Sequence, residues 1–374
     1  MIGARPLRDD EIEPALRFAV ARFLGADAAR APALEVRTLA GGHIHGSYVV
    51  RSSSHPLVLQ ALNERVFPDV DAVTHNIALV TRTLRTVAER DPARDRRRHL
   101  LVPVASDRGR LVERDDTGSP WRAFQFIEQA HGVTEAERPS QAAGAARAFG
   151  RFFHDLADLD PRGLRETIPH FHDTPHRVGA LEAAIAADPA NRAHGAAADI
   201  AFARARHALG ARLMAALRAD QLPLRTTHND AKIANVLFDD ATGEALCVVD
   251  LDTVMPGLVA WDVGDLVRSM AGNRAEDDPA PVTLRWPILE ALLRSWIAAA
   301  GPALTSRERD SLVDGALVIT YEQGVRFLAD YLEADRYYNT TRAGQNLDRA
   351  RAQFALLAAL EDGEDHLRRL VESA

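Results

Sequence analysis

Apolar positions change their period along this chain. From Asp9 to Leu24 they recur at helical spacing, with Leu16, Val20, Phe23 and Leu24 on one side and acidic residues in the first turn. Short β-rich runs follow. Leu34–Leu39 alternates weakly, and Tyr48-Val49-Val50 and Leu57-Val58-Leu59 read as strands, with Gly41-Gly42-His43-Ile44-His45-Gly46-Ser47 before the second run. Asp71–Glu89 returns to helical spacing through Ile77, Val80, Leu84 and Val87. Leu100–Val104, Leu111-Val112 and Trp121–Ile127 read as further strands. Glu128–Gly132 is polar and ends in glycine. Beyond it the pattern is helical: Ser140–Leu159, most of Leu181–Arg218 with a break near Asp188-Pro189, then Pro287–Ala299, Arg307–Leu332 and Leu347–Leu370. One β-rich island interrupts the helices. Val236-Leu237-Phe238 and Leu246–Val249, joined by a turn containing Gly243, predict a hairpin.

Strands early and helices late predict an α+β fold, and 374 residues suit two lobes better than one average domain. The expected boundaries are a smaller lobe over 1–127, a hinge at 128–132 and a larger lobe over 133–374. The hinge is polar and would read the same way as an ordinary surface linker. The net charge of −8 argues against a general nucleic-acid binder, and the basic run Arg94–Arg98 reads as a solvated loop. A single cysteine, Cys247, excludes an intrachain disulfide framework and suits a reducing compartment. The N-terminus lacks the apolar core of a signal peptide, and the most apolar late stretch, Trp286–Ala300, is broken by Glu290 and Arg294. The sequence therefore predicts a cytoplasmic protein with no membrane span.

The candidate chemistry surrounds the predicted hairpin. His228-Asn229-Asp230 precedes Asn235 by five positions counted from the aspartate, and Asp250-Leu251-Asp252 leaves the second strand. These residues suit phosphoryl transfer from ATP to a hydroxyl, a reaction governed by positioning and charge screening. Asp250 and the amide oxygen of Asn235 are hard ligands for Mg2+, and Asp252 is a further candidate. Asp230 is then placed to accept or orient the proton of the attacking hydroxyl. Lys232 is the sole lysine among 45 basic residues. A chain that otherwise uses arginine has kept a compact ammonium beside the catalytic aspartate, where it would neutralise the transferring phosphate. Asp262 and Asp265 either add a metal ligand or serve the backbone, bonding the loop around Asp230 or capping the following helix; the backbone role is preferred, since two metal carboxylates already exist.

The strand–glycine loop–strand arrangement allows Gly42, His45, Gly46 and Ser47 to approach nucleotide phosphates. Gln60 stands where a kinase lobe normally carries a lysine on its third strand, so phosphate neutralisation falls to magnesium, Lys232 and backbone amides. At the hinge an adenine ring would meet backbone groups, and Glu128 is the candidate nucleotide contact there. His170, His172, Asp173 and His176 match no tidy zinc spacing, and the prolines at 169 and 175 mark a packed loop.

His228-Asn229-Asp230, Asn235 and Val249-Asp250-Leu251-Asp252 resemble the aminoglycoside phosphotransferase and choline kinase superfamily, which has a protein-kinase-like fold. The longer strings around Asp230 and Asp250, the Thr167–Pro175 segment, and Arg326–Asp335 with Asn346–Arg351 look like its N-acetylhexosamine 1-kinase branch. That resemblance implies transfer of the γ-phosphoryl group of ATP to the anomeric hydroxyl of a sugar. It also implies sugar contacts from Asp230, Arg326 and Tyr337, with His43 closing over the acceptor. Two rivals stand beside it: a kinase for another small hydroxyl compound, and a non-catalytic nucleotide-binding module. A sulfatase is set aside, because Cys247 lies outside any C/S-x-P-x-R setting.

Overall fold

The computed structural model describes residues 7–8, 11–27, 34–39, 44–51, 56–92 and 94–374. Gly41, Gly42 and His43, three residues of the expected glycine-rich loop, lie outside the described residues. The chain divides into two compact units, 1–132 with 158–168 and 236–255, and 133–157 with 169–235 and 256–374.

The first unit is built on an antiparallel sheet. Helix α1 (Pro14–Leu24) precedes β1 (Glu35–Thr38), β2 (Gly46–Arg51) and β3 (Leu57–Ala61). Helix α2 (Val70–Ala88) follows, then β4 (Pro103–Val104), β5 (Val112–Arg114), β6 (Pro120–Gln125) and β7 (Ala130–Gly132). The strand order is β1-β2-β3-β6-β4, with β5 also on β6. One sheet face is apolar: Val36, Val50, Leu57, Leu59, Trp121 and Ala123 pack with Leu16, Val20 and Phe23 of α1. Alternation sends their neighbours to the other face. There Ser47, Gln60 and Arg122 align across three strands, because Ser47 pairs with Gln60 and Gln60 with Arg122.

The predicted hairpin is present as Val236–Asp239 and Ala245–Val248, with Val236 opposite Val248. Asp239 holds its turn, accepting the N–H groups of Ala241 at 2.9 Å and Thr242 at 2.7 Å. Those bonds, with Arg98 at 2.7 Å, bring the Asp239 pKa down to about 2. Arg98, read from sequence as part of a solvated run, also donates to the carbonyls of Glu128 at 3.3 Å and Gln129 at 2.9 Å. Residues 130–132 form a strand on the hairpin, with His131 opposite Phe238. Three residues are too short a run for a periodic signal.

The second unit is helical: α3 (Pro139–Asp155), α4 (Thr174–Ala187), α5 (Ala197–Arg204), α6 (His207–Arg218), α7 (Val259–Met270), α8 (Trp286–Ala300), α9 (Ser306–Asp310), α10 (Leu312–Leu332), α11 (Gln345–Asp362) and α12 (Glu364–Ser373). Helix α4 starts seven residues earlier than the apolar period indicates. Asp173 caps it through the N–H of His176 at 3.2 Å, and Pro175 stands in the first turn, where a missing N–H costs nothing. The histidines at 172 and 176 hid this start. The last predicted helix is two, divided at Gly363. Among the described residues no helix is long and apolar enough to cross a membrane.

Helix α7 is buried along almost its whole length and crosses α10 at glycine. A Cβ on Gly315 would strike the carbonyl of Ala260, and one on Gly264 would strike the carbonyl of Gly315. Backbone cannot yield as a side-chain tip does. Gly315→Ala is therefore expected to destabilise the protein by about 1–3 kcal/mol through overpacking, read as a lower denaturant midpoint, whereas Gly179→Ala, whose added methyl meets nothing, is expected to leave it unchanged.

Candidate active site

The loop bearing Asp230 is defined from below by buried charge. Asp262 on α7 accepts the N–H of His228 at 2.9 Å and of Asn229 at 2.7 Å, one on each carboxylate oxygen. Burial pushes the Asp262 pKa up, against the lowering by His228 and these two donors. Of the two readings the sequence left open, the structure shows the loop-holding bonds. Asp265 pairs instead with Arg268 at 2.7 Å.

The other side of the loop is held by a residue that the sequence placed in a histidine-rich segment without a function. His172 bonds the carbonyl of Asn229 through Nε2 at 2.9 Å and Glu322 of α10 through Nδ1 at 2.8 Å. Both partners are acceptors, so both ring nitrogens carry protons and the ring is an imidazolium. Burial would lower its pKa; Glu322 reverses that and raises it. Glu322 also accepts from the Thr174 hydroxyl at 2.6 Å and is buried, although it lies four residues before Arg326 on the same helix. Spacing alone could not reveal His172, since its partners lie 57 and 150 residues away.

Asn229 is left-handed, with φ +62°, and its side chain folds back on Thr227. Gly257 passes so close that a Cβ would collide with Thr227 Oγ1 and Asn229 Oδ1. Asp230 therefore emerges from a fixed turn. Lys232 Nζ donates to Asp230 Oδ2 at 2.8 Å, and Asn235 Nδ2 donates to the same oxygen at 3.0 Å and to the Asp230 carbonyl at 2.8 Å. Burial would raise the Asp230 pKa, but Lys232 and these bonds hold it below the usual carboxylate value. The amide of Asn235 is thus oriented through its nitrogen, which turns its oxygen to other use.

In the first unit Asp250 is exposed and left-handed, with φ +63°. Asp252, two residues on, is buried and committed to protein donors. Arg122 grips it bidentately, with Nη1 on Oδ1 and Nη2 on Oδ2, and His45 Nε2 donates to Oδ2 at 2.9 Å. Burial would raise the Asp252 pKa; Arg122 outweighs this and holds it well below the carboxylate range. His45 Nδ1 accepts the N–H of Asn63 at 3.0 Å, so Nε2 carries the ring proton. The His45 ring, expected to face a nucleotide, has no nitrogen left to offer it. Gln60 joins the row by donating to Ser47 Oγ at 3.0 Å and accepting from Arg122 Nε at 2.9 Å. The Glu128 carboxylate is exposed and paired with Arg51 at 2.8 Å rather than presented to a ligand. Gly46 opens β2.

Arg326 on α10 lies over Phe171, 5.2 Å from the ring centroid, and Tyr338, at 5.8 Å, and donates to Gln323 at 3.3 Å. Arg177 is half-buried beside it and donates only to the carbonyl of Phe171. Burial, then repulsion by Arg326, lowers the Arg177 pKa. Among the described residues neither arginine makes an ion pair. Tyr337 is 57% exposed and packs edge-on to Tyr338. The turn carrying both tyrosines is held by Asp330, which accepts the N–H groups of Arg336 at 2.9 Å, Tyr337 at 2.7 Å and Tyr338 at 3.0 Å.

This arrangement can activate a hydroxyl and screen a phosphate. The comparisons agree with it. Residues 35–352 match the model of the phosphotransferase enzyme family (APH), and the chain belongs to that family. Among solved structures it is similar to a microcompartment-associated aminopropanol kinase, at 15% identity over 94% of this chain and 97% of that one, with TM-score 0.60. It is also similar to an aminoglycoside phosphotransferase from Alicyclobacillus acidocaldarius, at 16% identity over 100% and 98%, with TM-score 0.56. Plasmodium vivax ethanolamine kinase matches at 11% identity over 92% and 89%, with TM-score 0.58. The mixed fold, with an antiparallel sheet early and helices late, is the fold of these kinases.

The His172 cation carries a pH signature. A group whose folded pKa is raised contributes stability that is complete below its unfolded value, 6.5, and is lost as pH rises through the folded value. Thermal stability of the parent should therefore fall on the alkaline side of 6.5 more steeply than that of His172→Gln, measured as melting temperature against pH.

Proposed function

We propose that this phosphotransferase transfers the γ-phosphoryl group of ATP to the anomeric hydroxyl of an N-acetylhexosamine. The observation that carries the chemistry is the Asp230–Lys232–Asn235 arrangement. Asp230 stays ionised at neutral pH and aligns the acceptor hydroxyl, taking its proton as the phosphoryl group moves. Lys232, already on Asp230, is placed to shift its charge toward the phosphate. Asp250, exposed, and the Asn235 amide oxygen are the residues that would hold magnesium. Among the described residues no group of three or more His, Cys, Asp or Glu side chains could hold a metal ion. An ion here would take its remaining ligands from phosphate and water, as magnesium commonly does. Bound magnesium would neutralise charge on the phosphate oxygens. The lobes proposed are 1–127 and 133–374 about a hinge at 128–132.

The acceptor follows from Arg177 and Arg326. The one carboxylate whose charge reaches both arginines, Glu322, is already offset by the His172 cation, so the net positive charge here disfavours the cationic amino alcohols named for several similar structures. The arginines suit a neutral acceptor rich in carbonyl and hydroxyl oxygens, and Tyr337 offers a ring face for a sugar. The resemblance of the segments around Asp230, Thr167 and Arg326 to the N-acetylhexosamine 1-kinase branch points the same way. His43 is retained as the proposed contact from the glycine-rich loop.

In an ATP-consumption assay across acceptors, N-acetylhexosamines should turn over and choline, ethanolamine and aminoglycosides should not; turnover of the amines alone would overturn the acceptor assignment. Arg326→Ala should raise KM for the sugar with little change in KM for ATP. Asp230→Asn should lower kcat by about 10²–10⁴-fold while ATP still binds. Because Lys232 holds the Asp230 pKa down, Lys232→Met should move the acid limb of the kcat/KM profile to higher pH.

A further inference from the structure

The third strand lacks a lysine, yet a cation stands beside its place. Arg122 is the β6 residue paired with Gln60, and its Nε donates to the Gln60 amide oxygen at 2.9 Å. Its side chain is 7% exposed and that of Asp252 1%. A guanidinium has five N–H donors in a rigid fork. Gln60 takes one and Asp252 takes two, which leaves two without a protein partner among the described residues. The charge does not belong to the apolar core: it lies on the sheet face opposite the packing of α1, in a hydrogen-bonded row with Ser47 and Gln60. A buried cation held by a buried carboxylate, with donors to spare, is the arrangement that binds an oxyanion at fixed geometry.

From this row we propose that Arg122 is the cationic contact to the nucleotide phosphates in the first unit, and that Asp252 is its holder and not a metal ligand. This rests on the kinase reading above. Asp252 has both oxygens engaged by Arg122 and His45, whereas Asp250 is exposed two residues earlier. The two carboxylates of the Asp-Leu-Asp segment would therefore divide the work: the first would hold the ion, and the second orients the guanidinium that would meet the phosphates. Gln60 is neutral because the positive charge has moved one strand over, and its amide bridges Arg122 to Ser47.

The test is calorimetric binding without turnover. Arg122→Gln alone would strand a buried carboxylate, so the variant used is Arg122→Gln with Asp252→Asn, which removes both charges; Arg122→Lys keeps the cation. ADP and adenosine are titrated in the absence of divalent metal, and folding is checked by a cooperative melt. The double variant should lose roughly ten- to a hundredfold in ADP affinity, the worth of one charged hydrogen bond, and bind adenosine like the parent. Arg122→Lys should retain part of the ADP affinity. If adenosine and ADP weaken together, or the double variant fails to fold while Arg122→Lys binds ADP no better than adenosine, Arg122 is structural and the proposal falls. Unchanged ADP affinity in the double variant also overturns it. A parent that binds neither compound overturns the kinase reading as well. For the holder role, Mn2+ is titrated by EPR into the ADP complexes of Asp252→Asn and Asp250→Asn. Weakening confined to Asp250→Asn supports the assignment; equal weakening in both makes Asp252 a ligand and overturns it.

Discussion

The second unit depends on a buried carboxylate meeting two backbone N–H groups. Asp262 occupies the underside of the His228-Asn229 turn, and His172 ties down its carbonyl side. Each group would be costly if left alone in the interior, and each is satisfied only when the turn has one geometry. The left-handed Asn229 and the bare α-carbon of Gly257 belong to the same solution. The main chain thereby fixes where Asp230 leaves the turn, and Lys232 and Asn235 then hold its carboxylate.

Helix α7 explains how this constraint reaches the rest of the unit. It brings Asp262 to the turn from one face and lies against α10 at Gly264 and Gly315. Helix α10 supplies Glu322 to His172 and Arg326 to the aromatic cluster. One helix contact therefore sets both the carboxylate proposed to react and the arginine proposed to meet the acceptor. A shift of either helix would disturb chemistry and recognition together.

The elements that announced themselves in the sequence were those with a local cause. The hairpin was legible because two β-rich runs flank a turn containing Gly243, and α2 because its apolar stripe is regular over nineteen residues. The cluster of Asp230, Lys232 and Asn235 was legible because the three fall within six positions. What stayed hidden acts across long separations. His172 looked like one of several histidines in a proline-bounded loop, and nothing local marks its bond to Glu322. Arg122 looked like one arginine in a strand, since its partner Asp252 is 130 residues away. The α4 start was hidden for a different reason: Asp173 and Pro175 are a legible cap, but the surrounding imidazoles drew attention to metal chemistry.

Asp330 holds the tyrosine turn by its amide groups, not by what those residues carry. Positions 336 and 337 are thus decoupled from the fold that supports them. Substitutions at these two sites would alter the outer surface of the turn without loosening its scaffold, so long as the aspartate beneath persists.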